Sequence, residues 1–172
     1  MGTKEIESNS YLTFKLCGEL FASHVSKVLN ILEMLRITQV PKSPAYMKGV
    51  INLRGNVLPV IDIRIKFGMP AIEVSKDTVI LVLSIEMENE QINVGALVDS
   101  VQEVIEVGKQ EILPSPSIGS KYRSEFIQGM IKSGEQFIML LDMDKVFSTN
   151  DLILIQESSV ENIEEEKANI SY

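Results

Sequence analysis

The chain has 172 residues, of which 45% are apolar and 23% charged, and its formal net charge is −8. These are the proportions of a soluble globular protein with chain enough for one core, or for two small barrels sharing one. The acidity argues against phosphate neutralisation, so no nucleic acid partner is expected; no basic cluster suits an anionic lipid surface, and no apolar run approaches the roughly 18 residues of a membrane span.

The N-terminal MGTKEIESNS lacks a signal-peptide apolar region, so a cytosolic protein without direct membrane insertion is expected. Residues 1–10 are polar and expected to be a flexible tail. Tyr11–Leu16 reads as a strand, Cys17-Gly18-Glu19 as a turn and Leu20–Ser23 as a second strand. Cys17 is the only cysteine, which excludes an internal disulfide; a small buried residue at a strand end is its expected role. The following VSKVLNILEML has helical spacing but β-branched residues, and a turn of helix passing into a strand is expected there. Val40-Pro41 ends it, and Pro44 starts a turn.

The most informative stretch is PKSPAYMKGVINLRGNVLPVIDIRIKFGM, from Pro41 to Met69. Two Val- and Ile-rich runs, Gly49–Leu53 and Val57–Ile63, flank Arg54-Gly55-Asn56. Branched residues suit a half-buried pleated surface, and the Gly-Asn pair tolerates the positive φ of a tight turn. The reading is a β-hairpin with one arginine at its tip. Thr78–Ile85, Gln91–Val98 and Val101–Val107 are further strand-like runs, and Pro114-Ser115-Pro116 opens a loop to about Glu125. Phe126–Lys132 and Gln136–Leu141, flanking Ser133-Gly134-Glu135, form another hairpin. Ser148 with Asp151 three residues on resembles a capping box before a short C-terminal helix. Residues 157–172 are glutamate-rich and expected to be a second flexible tail. Many short strands with few helices predict an all-β barrel or sandwich.

The two halves echo each other. Val25, Val28, Ile31, Val40 and Pro41 recur in order as Val98, Val101, Val104, Leu113 and Pro114. Gly49, Ile51, Asp62 and Phe67 recur as Gly129, Ile131, Asp142 and Phe147. A repeat of this length is a duplicated unit, so two similar small barrels packed about an approximate two-fold axis are expected, with apolar repeated positions lining the seam.

Catalytic signatures are missing. The chain has no phosphate-binding Gly-x-x-x-x-Gly-Lys-Ser/Thr or Gly-x-Gly-x-x-Gly loop and no Gly-x-Ser-x-Gly elbow. His24 is the only histidine; a surface or turn residue is expected, and zinc sites built on several imidazoles are excluded. Asp142 and Asp144 lack the glycine of a calcium loop and read as a strand end and helix cap. No enzyme, metal or cofactor is expected, so the chemistry left is association.

The segments YLTFKL (11–16), ITQVPKSPAYMKGVINLRGNVLPVIDIRIKFG (37–68), VGALVDSVQEV (94–104) and QGMIKSGEQFIMLLDMDKVF (128–147) resemble the CheW family of bacterial chemotaxis coupling proteins. The resemblance implies two intertwined five-stranded SH3-like β-barrels with pseudo-two-fold symmetry, short helices and a short C-terminal helix. It implies a CheW-like domain over 11–156, with subdomains of about 11–75 and 76–156 whose strands are open to exchange. It implies a non-catalytic adaptor that couples the cytoplasmic hairpin tips of methyl-accepting chemoreceptors to the chemotaxis histidine kinase, whose regulatory domain has the same fold. Such an adaptor is cytoplasmic and recruited to the inner face of the membrane through the receptors.

By the same resemblance, a receptor tip lies in the groove between the barrels, at Leu12, Val25, Val28, Ile31 and Val101, although each is also a core candidate. Asn52, Arg54 and Gly55 form the hairpin-tip motif, with a structural or coupling role. One departure bears on that motif. Family members often have Val-x-Glu-Ile, whose glutamate pairs with the tip arginine. Here the segment is Val28-Leu29-Asn30-Ile31, so Arg54 is either more exposed or paired with another carboxylate. Ala22-Ser23-His24 likewise replaces the usual Gly-Ile-Asp.

Overall fold

The computed structural model describes residues 9–114 and 124–158. The expected loop at 117–125 and the tails at 1–10 and 157–172 fall mainly outside them; Ser10 already belongs to a strand, and residues 157 and 158 close a helix. Ten strands alternate with short turns: β1 (Ser10–Leu16), β2 (Glu19–His24), β3 (Val28–Glu33), β4 (Met47–Leu53), β5 (Asn56–Asp62), β6 (Val79–Met87), β7 (Glu90–Val98), β8 (Ser100–Glu106), β9 (Ile127–Ser133) and β10 (Gln136–Leu141). Helical turns α1 (Ile63–Lys66) and α2 (Met143–Val146) follow β5 and β10, and α3 spans 149–158. The segment after β2 is a 3-10 turn, Val25–Lys27, running into β3, as the mixed pattern of that stretch predicts. His24 caps this turn, its Nδ1 accepting from the Ser26 N–H at 3.1 Å.

Two-residue turns join the hairpins. Cys17-Gly18 has φ of 52° and 77°, Arg54-Gly55 has 52° and 85°, and Glu88-Asn89 has 45° and 69°. Paired left-handed centres match the twist of the flanking strands. The central hairpin therefore turns on Arg54-Gly55, not Gly55-Asn56: Asn56 pairs with Leu53 as the first residue of β5. Asn52 Oδ1 accepts from the Gly55 N–H at 2.8 Å and pins that turn. Cys17 also departs from expectation. It is exposed, because the turn places it at a left-handed corner and not inside the strand, and Arg64 Nη2 donates to its Sγ.

The strands form two five-stranded sheets, ordered β8-β1-β2-β10-β9 and β3-β6-β7-β5-β4. The two orders correspond strand for strand, which makes the repeat a structural fact. Each sheet takes its leading hairpin from one repeat and its other three strands from the other. The sequence halves 11–75 and 76–156 are thus not the sheets, because β1–β2 and β6–β7 are exchanged between them. Register confirms the equivalences: Val28 opposes Leu83 as Val101 opposes Phe14, and Ile31 opposes Leu81 as Val104 opposes Leu12. The linker correspondence is corrected. Thr38 bridges Val50 and Leu113 bridges Met130, so Leu113 stands where Thr38 does and not where Val40 does. An irregular connection has no pleat to hold its register. Each bridge brings the segment after one edge strand back to the other edge, closing the sheet into a barrel.

The exchange gives three cores. Ile51, Leu58, Val60, Ile80, Val82 and Leu97 fill one barrel, and Tyr11, Ala22, Val107, Ile131, Ile138 and Leu140 fill the other. The largest cluster lies between the barrels and takes Leu12, Phe14 and Leu16 from β1 and Leu81, Leu83 and Ile85 from β6. Successive side chains of a strand point to opposite faces, so β6 sends Ile80 and Val82 into its barrel and Leu81 and Leu83 into the shared core. Burial on both faces explains why that strand reads as an unbroken apolar run. Phe14, Phe21, Phe67 and Phe126 stack in sequence through the shared core, with ring centroids 5.6–6.2 Å apart.

Two of the ion pairs between the repeats have opposite polarity. Arg64 of α1 meets Asp99, between β7 and β8, at 3.0 Å, and Asp99 also accepts from the Cys17 N–H at 2.7 Å. Asp144 of α2 meets Lys27, between β2 and β3, at 2.6 Å, and also accepts from the Glu86 N–H at 2.9 Å. In each case a carboxylate caps the end of a leading strand while gripping a cation. Asp62 and Asp142 cap α1 and α2, accepting from the N–H groups of Arg64 and Asp144.

The capping box expected at α3 is present: Ser148 Oγ accepts from the Asp151 N–H, and Asp151 Oδ2 from the Ser148 N–H, each at 3.0 Å. Leu152 and Ile155 then enter the shared core. Asp151 also binds Lys66 of α1 and accepts from the Tyr46 hydroxyl at 2.9 Å. The Lys66 ammonium lies 4.6 Å from the centre of the Tyr46 ring. Burial pushes the Asp151 carboxyl up, but hydrogen bonds from Lys66, Ser148 and Tyr46 outweigh it and hold the group below its ordinary range. Burial, and then the bond to Asp151, push the Tyr46 phenol well up. A carboxyl lowered on folding stabilises at pH values above its unfolded pKa, and the contribution is lost as pH falls through its folded value. Asp151→Asn is therefore expected to cost about 3 kcal/mol at neutral pH. Urea unfolding across a pH series should show the gap to wild type closing below about pH 4.

Candidate functional site

The seam is flanked by the two edge strands β3 and β8, one from each sheet. The 3-10 turn Val25–Lys27 packs against both β1 and β6, which belong to different sheets, and so sits across it. A depression of about 550 Å³ is lined by Glu33 and Met34 at the end of β3 and by Ser100 and Val101 at the start of β8. The end of β3 therefore lies beside the start of β8, and the pseudo-two-fold sets the start of β3 beside the end of β8.

The five predicted groove residues occupy different depths. Ile31 is 45% exposed. Val25, Val28 and Val101 are half-buried, and the last two pack against the shared core. Leu12 is only 5% exposed and belongs to that core, so it supports the seam without presenting a surface. On β3 and β8 two further exposed apolar residues lie outside the predicted set: Val104, at 58%, and Leu29, at 56%. The repeat already pairs Val104 with Ile31, and that signal identifies it. Leu29 has no such mark; its exposure follows from an irregularity in the β3–β6 register between Val28 and Asn30.

Of the tip motif, Asn52, Arg54 and Gly55 are all exposed. Asn30 does not reach Arg54; its Oδ1 accepts from the neighbouring Ile31 N–H at 2.9 Å. Among the described residues Arg54 makes no ion pair. Of the two openings left by the sequence, the exposed arginine is the one found. The second hairpin places Gly134-Glu135 where the first has Arg54-Gly55, so the two turns carry opposite charges, with the exposed Lys132 flanking Glu135 on β9. Val57 and Phe137, equivalent positions beside the tips, are 37% and 49% exposed.

The family described as "CheW-like domain" matches residues 10–151. The chain belongs to the CheW family. It is 30% identical to the chemotaxis protein CheW of Klebsiella aerogenes, over 88% of this chain and 89% of that one. It is 33% identical to the chemotaxis protein CheW of Rhizobium meliloti, over 81% and 88%. The crystal structure of the scaffolding protein TtCheW from Thermoanaerobacter tengcongensis superposes with a TM-score of 0.74 at 28% identity, covering 88% of this chain and 95% of that one. The two intertwined barrels are thus the CheW fold. Among the described residues no helix is long and apolar enough to cross a membrane, and no group of three or more His, Cys, Asp or Glu side chains is placed to hold a metal ion.

Proposed function

We infer that this CheW-family chain is a non-catalytic chemotaxis adaptor that joins the cytoplasmic hairpin tips of chemoreceptors to the histidine autokinase. It acts in the cytoplasm and reaches the inner face of the membrane through those receptors. The observation that carries the reading is the seam. Ile31 and Val104 stand exposed at equivalent positions on its two edge strands, while Val25, Val28 and Val101 lie half-buried around them. Such a surface suits the apolar face of a helical hairpin, which supplies anchors at helical spacing. Co-sedimentation with a receptor cytoplasmic fragment and with the kinase tests it; binding to neither would sink the reading.

The hairpin tips are the surfaces assigned to the kinase. Its regulatory domain shares this fold by family resemblance, so an end-to-end contact would bring a cationic tip such as Arg54 against an acidic one such as Glu135. The exposed Val57 and Phe137 add apolar area beside each tip. Arg54→Ala is expected to lower receptor-stimulated kinase activation about threefold or more, with an unchanged melting temperature. Activation at the wild-type level would remove Arg54 from the interface.

A further inference from the structure

We propose that the depression at the Val101 end of the seam is a socket for one basic side chain, arginine or lysine, of the partner's hairpin tip. This rests on the seam being the receptor site and adds to it the chemistry that sets specificity. The depression is lined by apolar and charged side chains. Met34, Val79 and Val101 are its half-buried apolar members, and the exposed Glu33 and Asp77 make an acidic rim with one opposing cation, Lys76. Neither Glu33 nor Asp77 has an ion pair or side-chain hydrogen bond among the described residues.

Asp77 is positioned in advance. The Ser75 N–H donates to Thr78 Oγ1 at 2.9 Å, the Asp77 N–H donates to Ser75 Oγ at 3.2 Å, and Thr78 is only 3% exposed. A turn fixed in this way holds the backbone that carries the carboxylate, so binding has only the side chain to order. An arginine or lysine has the matching shape: an aliphatic stem to lie along Met34, Val79 and Val101, and a cationic head to reach the rim. A purely apolar occupant would leave two carboxylates desolvated without partners. An acidic occupant would meet a net negative rim on a chain of net charge −8.

The probe is a purified chemoreceptor cytoplasmic fragment from the same organism, titrated by calorimetry against the full chain. Glu33→Gln and Asp77→Asn should each weaken binding about three- to fivefold and together about tenfold, while Lys76→Gln should tighten it. These positions are exposed, so unchanged melting temperatures are expected. Replacing the fragment's tip arginines and lysines one at a time by methionine should yield one variant that no longer senses Glu33→Gln. If the wild-type chain binds and Ile31→Asp abolishes binding, but the rim variants stay within twofold of wild type, the socket is overturned and the seam stands. The socket is equally overturned if no single basic residue of the fragment removes the sensitivity. A wild-type chain that does not bind the fragment overturns both.

Discussion

Ile31→Asp is expected to reduce binding of a chemoreceptor cytoplasmic fragment at least about thirtyfold, while leaving the fold intact. The side chain is 45% exposed and lies on an edge strand, so an aspartate there stays solvated in the free protein. Its cost to stability should be within about 1 kcal/mol, as for most surface substitutions. In the complex the same position would place an unpaired carboxylate against an apolar helix face, losing about 2 kcal/mol of apolar burial before any desolvation is counted. Val104→Asp should behave alike, because the pseudo-two-fold makes Val104 the counterpart of Ile31 on the other wall. Val28→Asp is a poorer probe, since Val28 is half-buried against the shared core and its loss mixes binding with stability. Leu12→Asp should simply unfold the chain. Fragment binding by Ile31→Asp at wild-type affinity would rule out the seam as the receptor site.

Gly49→Ala is expected to destabilise the fold by about 4 kcal/mol or more, placing it among exceptional single substitutions. A Cβ at that position would lie 2.1 Å from the Thr38 carbonyl oxygen and 2.8 Å from Ile37 Cγ2, and φ is +149°. The clash is with backbone, so no rotamer relieves it, and the segment that would have to move closes the barrel through its bridge to Val50. Gly129 is the equivalent residue of the other barrel. There a Cβ would meet Ile112 Cγ2 at 2.6 Å and the Leu113 carbonyl oxygen at 2.8 Å, without a positive φ, so Gly129→Ala should cost less, about 2–3 kcal/mol. Gly134 has φ of +61° in open space, and Gly134→Ala should cost about 1 kcal/mol. Urea unfolding of the three variants should reproduce this order. Equal losses would mean that the closing bridges are not what demands glycine.

These glycines mark how far the sequence could be read. Gly49 and Gly129 stood out as repeated residues, but the reason for the repeat, a carbonyl lying on the strand, is a contact between segments distant in the chain. The strands themselves were legible because period-two apolar patterning and two-residue turns are local signals. The same holds for the 3-10 turn running into β3 and for the Ser148–Asp151 capping box. Cys17 misled because a turn corner and a strand end differ by one residue, and that residue decides between solvent and core. The correspondence of Val40 with Leu113 misled for a related reason: two irregular connections were aligned by residue type, while the bridges to Val50 and Met130 align them by position.

The candidate site divides along the same line. The resemblance named both seam and tip. The resemblance and the repeat point to Val28, Ile31 and Val101 without distinguishing core from surface, because an aliphatic side chain is equally suited to either. Only burial separates Leu12, which supports the seam, from Ile31, which presents it. The tip arginine was visible in the sequence, but its lack of an ion pair among the described residues depends on Asn30 turning to its own backbone.

By itself, then, the chain determined its strands, its hairpins, its internal duplication and its family, since each is written in local pattern or in motif. The tertiary structure alone decided that the leading hairpins are exchanged, that the largest core lies between the barrels, and that the seam stays open at Ile31 and Val104. Pairing of β2 with β10 and of β5 with β7 joins segments far apart in sequence, and many partners would satisfy the pattern of any single strand. The choice among them is made by the packing of the whole chain at once: by which faces must be buried together, and by which cation meets which carboxylate at Arg64–Asp99 and Lys27–Asp144.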